Sequence, residues 1–261
     1  MKRTYVKLLT VAGLTGCFLF TSCRSAQETT ARYEISKVEG NMITIDSTWD
    51  ANPDKKATTV LKPYKDKVDA MMYEVIGTSE MKMDKGTPES LLSNLVASVL
   101  QEAAAQVLGK PADMGLVNMG GLRNILPKGD ITVGAVFEIL PFENSLCVLT
   151  MKGTDMKRLF KAIASLHGGG VSGIRLEINK KGELLNATIG GKPVVDDQLY
   201  TVATIDYLAD GNGRMDAFLQ AEKRECPEDA TLRGLFLDYV RKQTAEGKII
   251  TSKLDGRITV K

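Results

Sequence analysis

The 261-residue chain is 43% hydrophobic and 25% charged, with a net charge of +2, four cysteines and one histidine. Such a composition excludes disordered, collagen-like and disulfide-dense classes. One histidine also excludes the His-rich metal clusters on which many hydrolases depend.

The N-terminus begins with Lys2, Arg3 and Lys7 and continues as an apolar stretch over 8–20. That stretch is shorter than the ~20 residues a spanning helix needs, so residues 1–22 read as a secretory signal. Phe20-Thr21-Ser22-Cys23 fits the processing box of a bacterial lipoprotein, which makes Cys23 the expected lipid attachment site. Leu14-Thr15-Gly16-Cys17 fits the box locally but leaves a very short apolar core, and the alternative to both is a plain signal with incidental cysteines. Loss of residues 1–22 removes three cations and no anion, so 34 basic against 32 acidic groups become 31 against 32, a net charge near −1. No global charge then points to polymeric nucleic acid or to an anionic membrane as a partner.

Residues 23–32 form a polar tether, and 33–261 show no repeat or linker that would divide them, so one domain is expected there. Alternation over 33–46, with Glu39-Gly40-Asn41 at its centre, predicts a strand hairpin, and 47–57 reads as loop. A helix is expected over 63–72 and a strand over 73–77. The strongest helix signal covers 88–108: Thr87 as N-cap, Pro88 at the first position, Gly109 as terminator, and an apolar face of Leu91, Leu92, Leu95, Val96, Val99 and Leu100. Met156, Leu159, Phe160 and Ile163 predict a second helix behind Asp155, and Leu232, Leu235, Phe236 and Val240 a third behind Asp229. Strands are expected over 145–151, 171–178, 184–189 and 199–205, with 171–178 and 184–189 joined as a hairpin through 179–182. Helices and strands mix without strict alternation, which defines an α+β fold with a mixed sheet and flanking helices. Cys147, in an apolar run, reads as a small packed hydrophobe. Cys226 lies in a charged loop, and a bridge between the two is open.

Three loops between apolar elements carry the chemistry. In Asn118-Met119-Gly120-Gly121-Leu122-Arg123, paired glycines admit close backbone approach and the arginine offers a bidentate anion contact; a tight structural turn reads equally well. In Leu140-Pro141-Phe142-Glu143-Asn144, a ring suited to stacking on a flat ligand stands two positions before an amide, and the plainer reading is that Phe142 covers the core. In Asp206-Tyr207-Leu208-Ala209-Asp210-Gly211-Asn212-Gly213 the third and twelfth positions are Leu208 and Ala217, which lack oxygen ligands for calcium, so an aromatic beside a glycine turn is left. His167, next to Gly168-Gly169-Gly170, reads as a solvated helix-end residue, since a catalytic base must be rigidly held.

Taken together, these loops resemble the C-terminal domain of bacterial and animal 5'-nucleotidases. NMGGLRNILPKGDITVGAVFEILPFENSLCVLTMKG contains an N-x-G-G-x-R loop, a G-D-I-T turn and a P-F-x-N loop in the family's order, and YTVATIDYLADGNG and PESLLSNLVASVLQEA are similar to its later strand-turn and its opening helix. The resemblance covers about residues 60–260. It implies a substrate pocket in which Phe142 and Tyr207 sandwich a base, Asn118 and Asn144 contact the base or its surroundings, and Arg123 faces the phosphate side. Gly120, Gly121, Gly211 and Gly213 complete the implied binding positions. Two departures stand out. Gly211-Asn212-Gly213-Arg214 lacks the family's ribose-binding aspartate, with Asp210 and Asp216 the candidates to replace it, and only Lys82 and Lys85 stand where the family places an arginine before the opening helix.

The resemblance also implies what this chain lacks. The 239 residues after the signal suffice for this domain alone, and one histidine cannot build the two-metal centre of the family's metallophosphatase domain. No catalytic residue and no metal site are expected here, and a divalent metal pair is expected only in a partner. The leading expectation is a lipid-anchored specificity half of a 5'-nucleotidase, inactive alone, binding a nucleoside or nucleotide and pairing with a separately encoded metallophosphatase. The alternatives are a free-standing envelope protein that binds nucleosides, or a decayed pocket serving as an interaction module. The expected location is the periplasmic face of a Gram-negative outer membrane, reached through the lipid anchor.

Overall fold

A computed structural model describes residues 34–261. The predicted signal at 1–22, the tether at 23–32, and Cys17, Cys23 and Tyr33 lie outside the described residues. The chain divides into two units, residues 1–53 and 54–261.

In the first unit the expected hairpin does not form. Residues 34–45 carry no strand and are exposed, and Asp46 caps one 3-10 turn over Ser47–Ala51 by accepting from the Thr48 amide. An isolated two-stranded hairpin is marginal in water, so alternation at Ile35, Val38, Ile43 and Ile45 without a surface to cover does not specify strand.

The second unit opens with α1 (Lys55–Met72), whose N-cap Asp54 accepts from the Ala57 amide. It begins eight residues before the expected start and carries Pro63 inside it. β1 (Val75–Ser79) follows. α2 (Leu91–Ala103) starts later than expected because Ser90 and Ser93 form a reciprocal capping box, which satisfies two free amides at once; Thr87 and Pro88 lie outside the helix. After α3 (Ala105–Leu108), Gly109 stops the chain in the left-handed region at φ 71°. The predicted apolar face of α2 is core, with Leu92, Leu95, Val96, Val99 and Leu100 all buried.

The remaining elements are β2 (Met114–Val117), β3 (Gly129–Thr132), α4 (Val133–Ile139), β4 (Leu146–Lys152), α5 (Gly153–Ser165), β5 (Gly170–Ser172), β6 (Ile174–Ile178), β7 (Leu184–Ile189), β8 (Lys192–Pro193), β9 (Leu199–Ile205), α6 (Asp206–Ala209), β10 (Lys223–Glu225), α7 (Leu232–Ala245) and β11 (Ile258–Val260). They form a five-stranded sheet in the order β10-β4-β9-β2-β5, a four-stranded sheet β11-β6-β7-β8 and a two-stranded pair β1-β3. Parallel pairs β2-β9 and β11-β6 stand among antiparallel ones, which makes the sheets mixed and the fold α+β. α2 packs on β2, β5 and β9, and α5 packs on β4, β9 and the β6-β7 hairpin.

The strand expected over 171–178 is cut in two. Gly173 adopts φ 77° and sends β5 and β6 into different sheets, and a Cβ there would lie 2.1 Å from the Asp113 carbonyl oxygen. The β6-β7 hairpin itself forms as expected, its turn held by Asn179 Oδ1, which accepts from the amides of Lys181 and Glu183.

Cys147 and Cys226 are joined in a disulfide across 79 residues, with Cα atoms 4.2 Å apart. Cys147 is fully buried, as its apolar run predicts, and the bridge that the sequence left open is formed. The local apolar pattern could not reveal the bridge, because it arises from strand register: Glu225 faces Val148, so the next residue of the edge strand comes opposite Cys147. Closing a loop of this length removes unfolded-state entropy worth about 4 kcal/mol in the chain-entropy model. Reduction is therefore expected to lower the melting temperature by on the order of 10 °C. Thermal melts with and without a dithiol should show the shift in the native chain and not in a Cys226→Ser variant; superimposable melts of the two proteins would contradict it.

Candidate functional site

Sheet topology brings the three predicted loops to one edge. β2 and β9 run parallel as neighbours, so the residues that follow Val117 and Ile205 leave the sheet at the same end. β4 is antiparallel to β9 with Leu146 opposite Ile205, so the segment entering β4 arrives there too. Asn118, Phe142, Asn144 and Tyr207 are thus delivered to one place by three strands distant in sequence.

The first loop is closed on itself. Asn118 leads a single 3-10 turn over Met119–Gly121. A Cβ on Gly121 would sit 2.9 Å from Asn118 Oδ1, so any larger residue there would displace the Asn118 amide. The Arg123 amide donates to the Ile139 carbonyl at 2.9 Å, its guanidinium to the Gly120 carbonyl at 3.2 Å, and Lys85 Nζ to the Leu122 carbonyl.

The second loop is held from below by a residue that the motifs did not mark. Arg233, on α7, is 8% exposed. Its guanidinium donates to the carbonyls of Leu140 and Pro141, both at 3.1 Å, pairs with Glu143, and lies 4.1 Å from the centre of the Phe137 ring. A cation inside an otherwise apolar stripe, between Leu232 and Phe236, was the available signal. The Leu232 amide also donates to the Asn144 carbonyl at 2.8 Å.

Asp206 ties the second loop to the third. Its Oδ1 accepts from Asn144 Nδ2 at 2.9 Å and from the Tyr207 amide at 2.7 Å, while its own amide donates to the Ser145 carbonyl at 2.9 Å. One carboxylate oxygen thereby sets both the Asn144 amide and the backbone that bears Tyr207. With Nδ2 engaged, Asn144 turns its Oδ1 into an available acceptor.

Six of the predicted positions, Asn118, Gly120, Gly121, Phe142, Asn144 and Tyr207, line a cleft of about 340 Å³. That is at the lower end of the ~300–1,000 Å³ of small-molecule sites. Beneath it Val117, Leu140, Ile205 and Leu232 form an apolar floor. Phe142 and Tyr207 are 48% and 44% exposed. Asn118 Oδ1 is buried without a hydrogen-bond partner, a costly state for a carbonyl unless a ligand or solvent completes it.

Three predicted positions stand outside the lining. Arg123 lies beside it, its guanidinium 5.8 Å from the centre of the Phe142 ring. Gly211 and Gly213, at φ 83° and 66°, turn the chain behind Tyr207, and a Cβ on Gly213 would reach the Leu208 side chain at 3.2 Å. Asp210, a candidate to replace the missing sugar-binding aspartate, is engaged by Arg224 at 2.6 Å. Asp216 is exposed at the start of the next 3-10 turn. His167 is exposed just past the end of α5.

An α+β domain with an open aromatic and amide cleft at the end of a mixed sheet is thus defined. A family model described as 5'-nucleotidase, C-terminal domain, matches residues 75–220, more than half of the chain, and the chain belongs to that family. It is 27% identical over 238 residues to the trifunctional nucleotide phosphoesterase protein YfkN of Bacillus subtilis, covering 84% of this chain and 16% of that one. It is 28% identical over 188 residues to endonuclease YhcR of the same organism, covering 69% and 15%. Among solved structures, a 5'-nucleotidase precursor from Thermus thermophilus superposes with a TM-score of 0.66 at 26% identity, over 81% of this chain and 44% of that one. This chain therefore spans about a sixth of those two curated relatives and less than half of the solved structure.

Proposed function

We propose that this domain binds a nucleoside or nucleotide and supplies the substrate-specificity half of a 5'-nucleotidase whose metal centre lies in a separate metallophosphatase, the pair being held at the cell envelope through a lipid on Cys23. The observation that carries the reading is the cleft itself: two half-exposed rings and two amides from three loops, over an apolar floor. Rings on separate loops suit the two faces of a flat base. The unpartnered Asn118 Oδ1 and the free Asn144 Oδ1 both accept, which suits a base edge that presents N–H groups. Arg123, beside the cleft, is the cation for a phosphate, bidentate where geometry allows.

A divalent pair would activate water for attack on phosphorus in the partner. Among the described residues no group of three or more His, Cys, Asp or Glu side chains converges on one point. The disulfide favours an oxidising compartment and so supports export.

Calorimetry with a nucleoside and nucleotide panel, followed by mixing with a metal-loaded metallophosphatase, tests the proposal. Binding by the domain and a gain of nucleotide hydrolysis on mixing are expected. Binding without any gain would leave a free-standing nucleoside-binding protein, and no heat from any member of the panel would overturn the reading altogether.

A further inference from the structure

α1 is the longest helix of the domain, and none of its 18 residues is buried. At 3.6 residues per turn, Val60, Leu61, Tyr64, Val68 and Met71 share one arc of about 120°, and all five are exposed. A helix of a globular protein ordinarily turns such an arc to its core. Among the described residues its C-terminal end is fastened, where Met72 packs against the core and the Val133 amide donates to the Glu74 carbonyl. A contiguous apolar stripe left open in this way marks an interaction surface.

The charges say which kind. α1 carries five lysines against two aspartates. Lys56 and Lys67 border one edge of the apolar arc and Lys65 the other, whereas Asp66 and Asp69 lie on the opposite face, paired with Lys62 and Lys65 one turn away. Pro63 deprives the Thr59 carbonyl of its helical donor, but both residues lie on the polar side and the arc stays continuous. Two copies of this face would bring like-charged borders together, which disfavours self-association. An apolar arc flanked by lysines, with acidic groups held away from it, fits the boundary between acyl chains and anionic headgroups: the apolar side chains enter and the lysine stems extend to the phosphates.

We propose that α1 lies in the plane of an anionic lipid surface, apolar arc inward, so that the domain is seated on the membrane by a protein contact in addition to any lipid anchor. The proposal does not depend on the nucleotide reading of the cleft. Amide hydrogen exchange of the full chain, read peptide by peptide, tests it, because a local readout separates α1 from any tether. Vesicles of phosphatidylcholine with roughly one quarter phosphatidylglycerol should slow exchange across 55–72 by about fivefold or more, and high salt should reverse the effect. A Leu61→Glu/Val68→Glu variant should lose the protection while exchange in β4 and β9 is unchanged, both positions being solvent-exposed. Equal exchange with and without anionic vesicles would overturn the proposal, as would equal protection by purely neutral vesicles. Protection that appears without lipid as protein concentration rises, or only on adding a metallophosphatase, would assign the face to a second copy or to that protein and overturn it as well.

Discussion

Phe142→Ala/Tyr207→Ala is expected to abolish measurable nucleoside binding while leaving the thermal melt nearly where it was. Stacking of a base on one aromatic ring is worth about 1–3 kcal/mol by alanine substitution, and 1.4 kcal/mol is a factor of ten. Two rings together therefore carry on the order of a hundredfold in affinity or more. If the proposed ligand lies between them, each single variant should already lose much of that, and the two losses should not add. Stability should change little, because both rings are nearly half exposed and their removal opens no core cavity. Calorimetry and circular-dichroism melts on the three variants give the answer. Retained affinity in the double variant would show that the ligand does not lie between these rings.

What could be read in the sequence follows a physical division. Patterns set by neighbours three or four apart were legible: the buried face of α2, the stripe of α5 at Met156, Leu159, Phe160 and Ile163, and the strand leading to Tyr207 all stand where periodicity puts them. Features decided by long-range partners were not. Among the described residues the alternation over 34–46 met no second strand, the strand over 171–178 was divided by the close approach of Gly173 to Asp113, and the Cys147–Cys226 bridge is a consequence of β4-β10 register. The cleft shows the same division. Its lining was legible because the side chains facing it belong to short polar loops, whereas Asp206 and Arg233, which hold those loops, contact them across 62 and 93 positions respectively. Gly211 and Gly213, which the resemblance implies as binding positions, turn the chain at positive φ outside the cleft lining.

Arg233→Met is expected to combine the largest loss of stability among single substitutions near the cleft with a loss of ligand affinity. Methionine keeps most of the side-chain volume, so the change isolates the guanidinium. Removing it leaves the buried Leu140 carbonyl and the part-buried Pro141 carbonyl without their donor and ends the contact with the Phe137 ring. Hydrogen bonds from a charged donor are worth about 1.5–3 kcal/mol each. The pair with Glu143 adds little, because that carboxylate is largely solvated. A destabilisation of about 3 kcal/mol follows, which for a domain of this size is roughly 6–12 °C in melting temperature. Glu143→Gln should shift the melt by less than about 1 kcal/mol, and Arg233→Lys should fall between, since one ammonium cannot span both carbonyls and reach Glu143 in a single plane. Affinity, measured by calorimetry well below the variant's melt, separates two roles. A residue that positions the loop should weaken nucleoside binding even in the fully folded variant, because Phe142 and Asn144 are carried by the segment it fastens. Unchanged affinity in a folded but less stable Arg233→Met protein would make Arg233 a core residue with no part in the cleft.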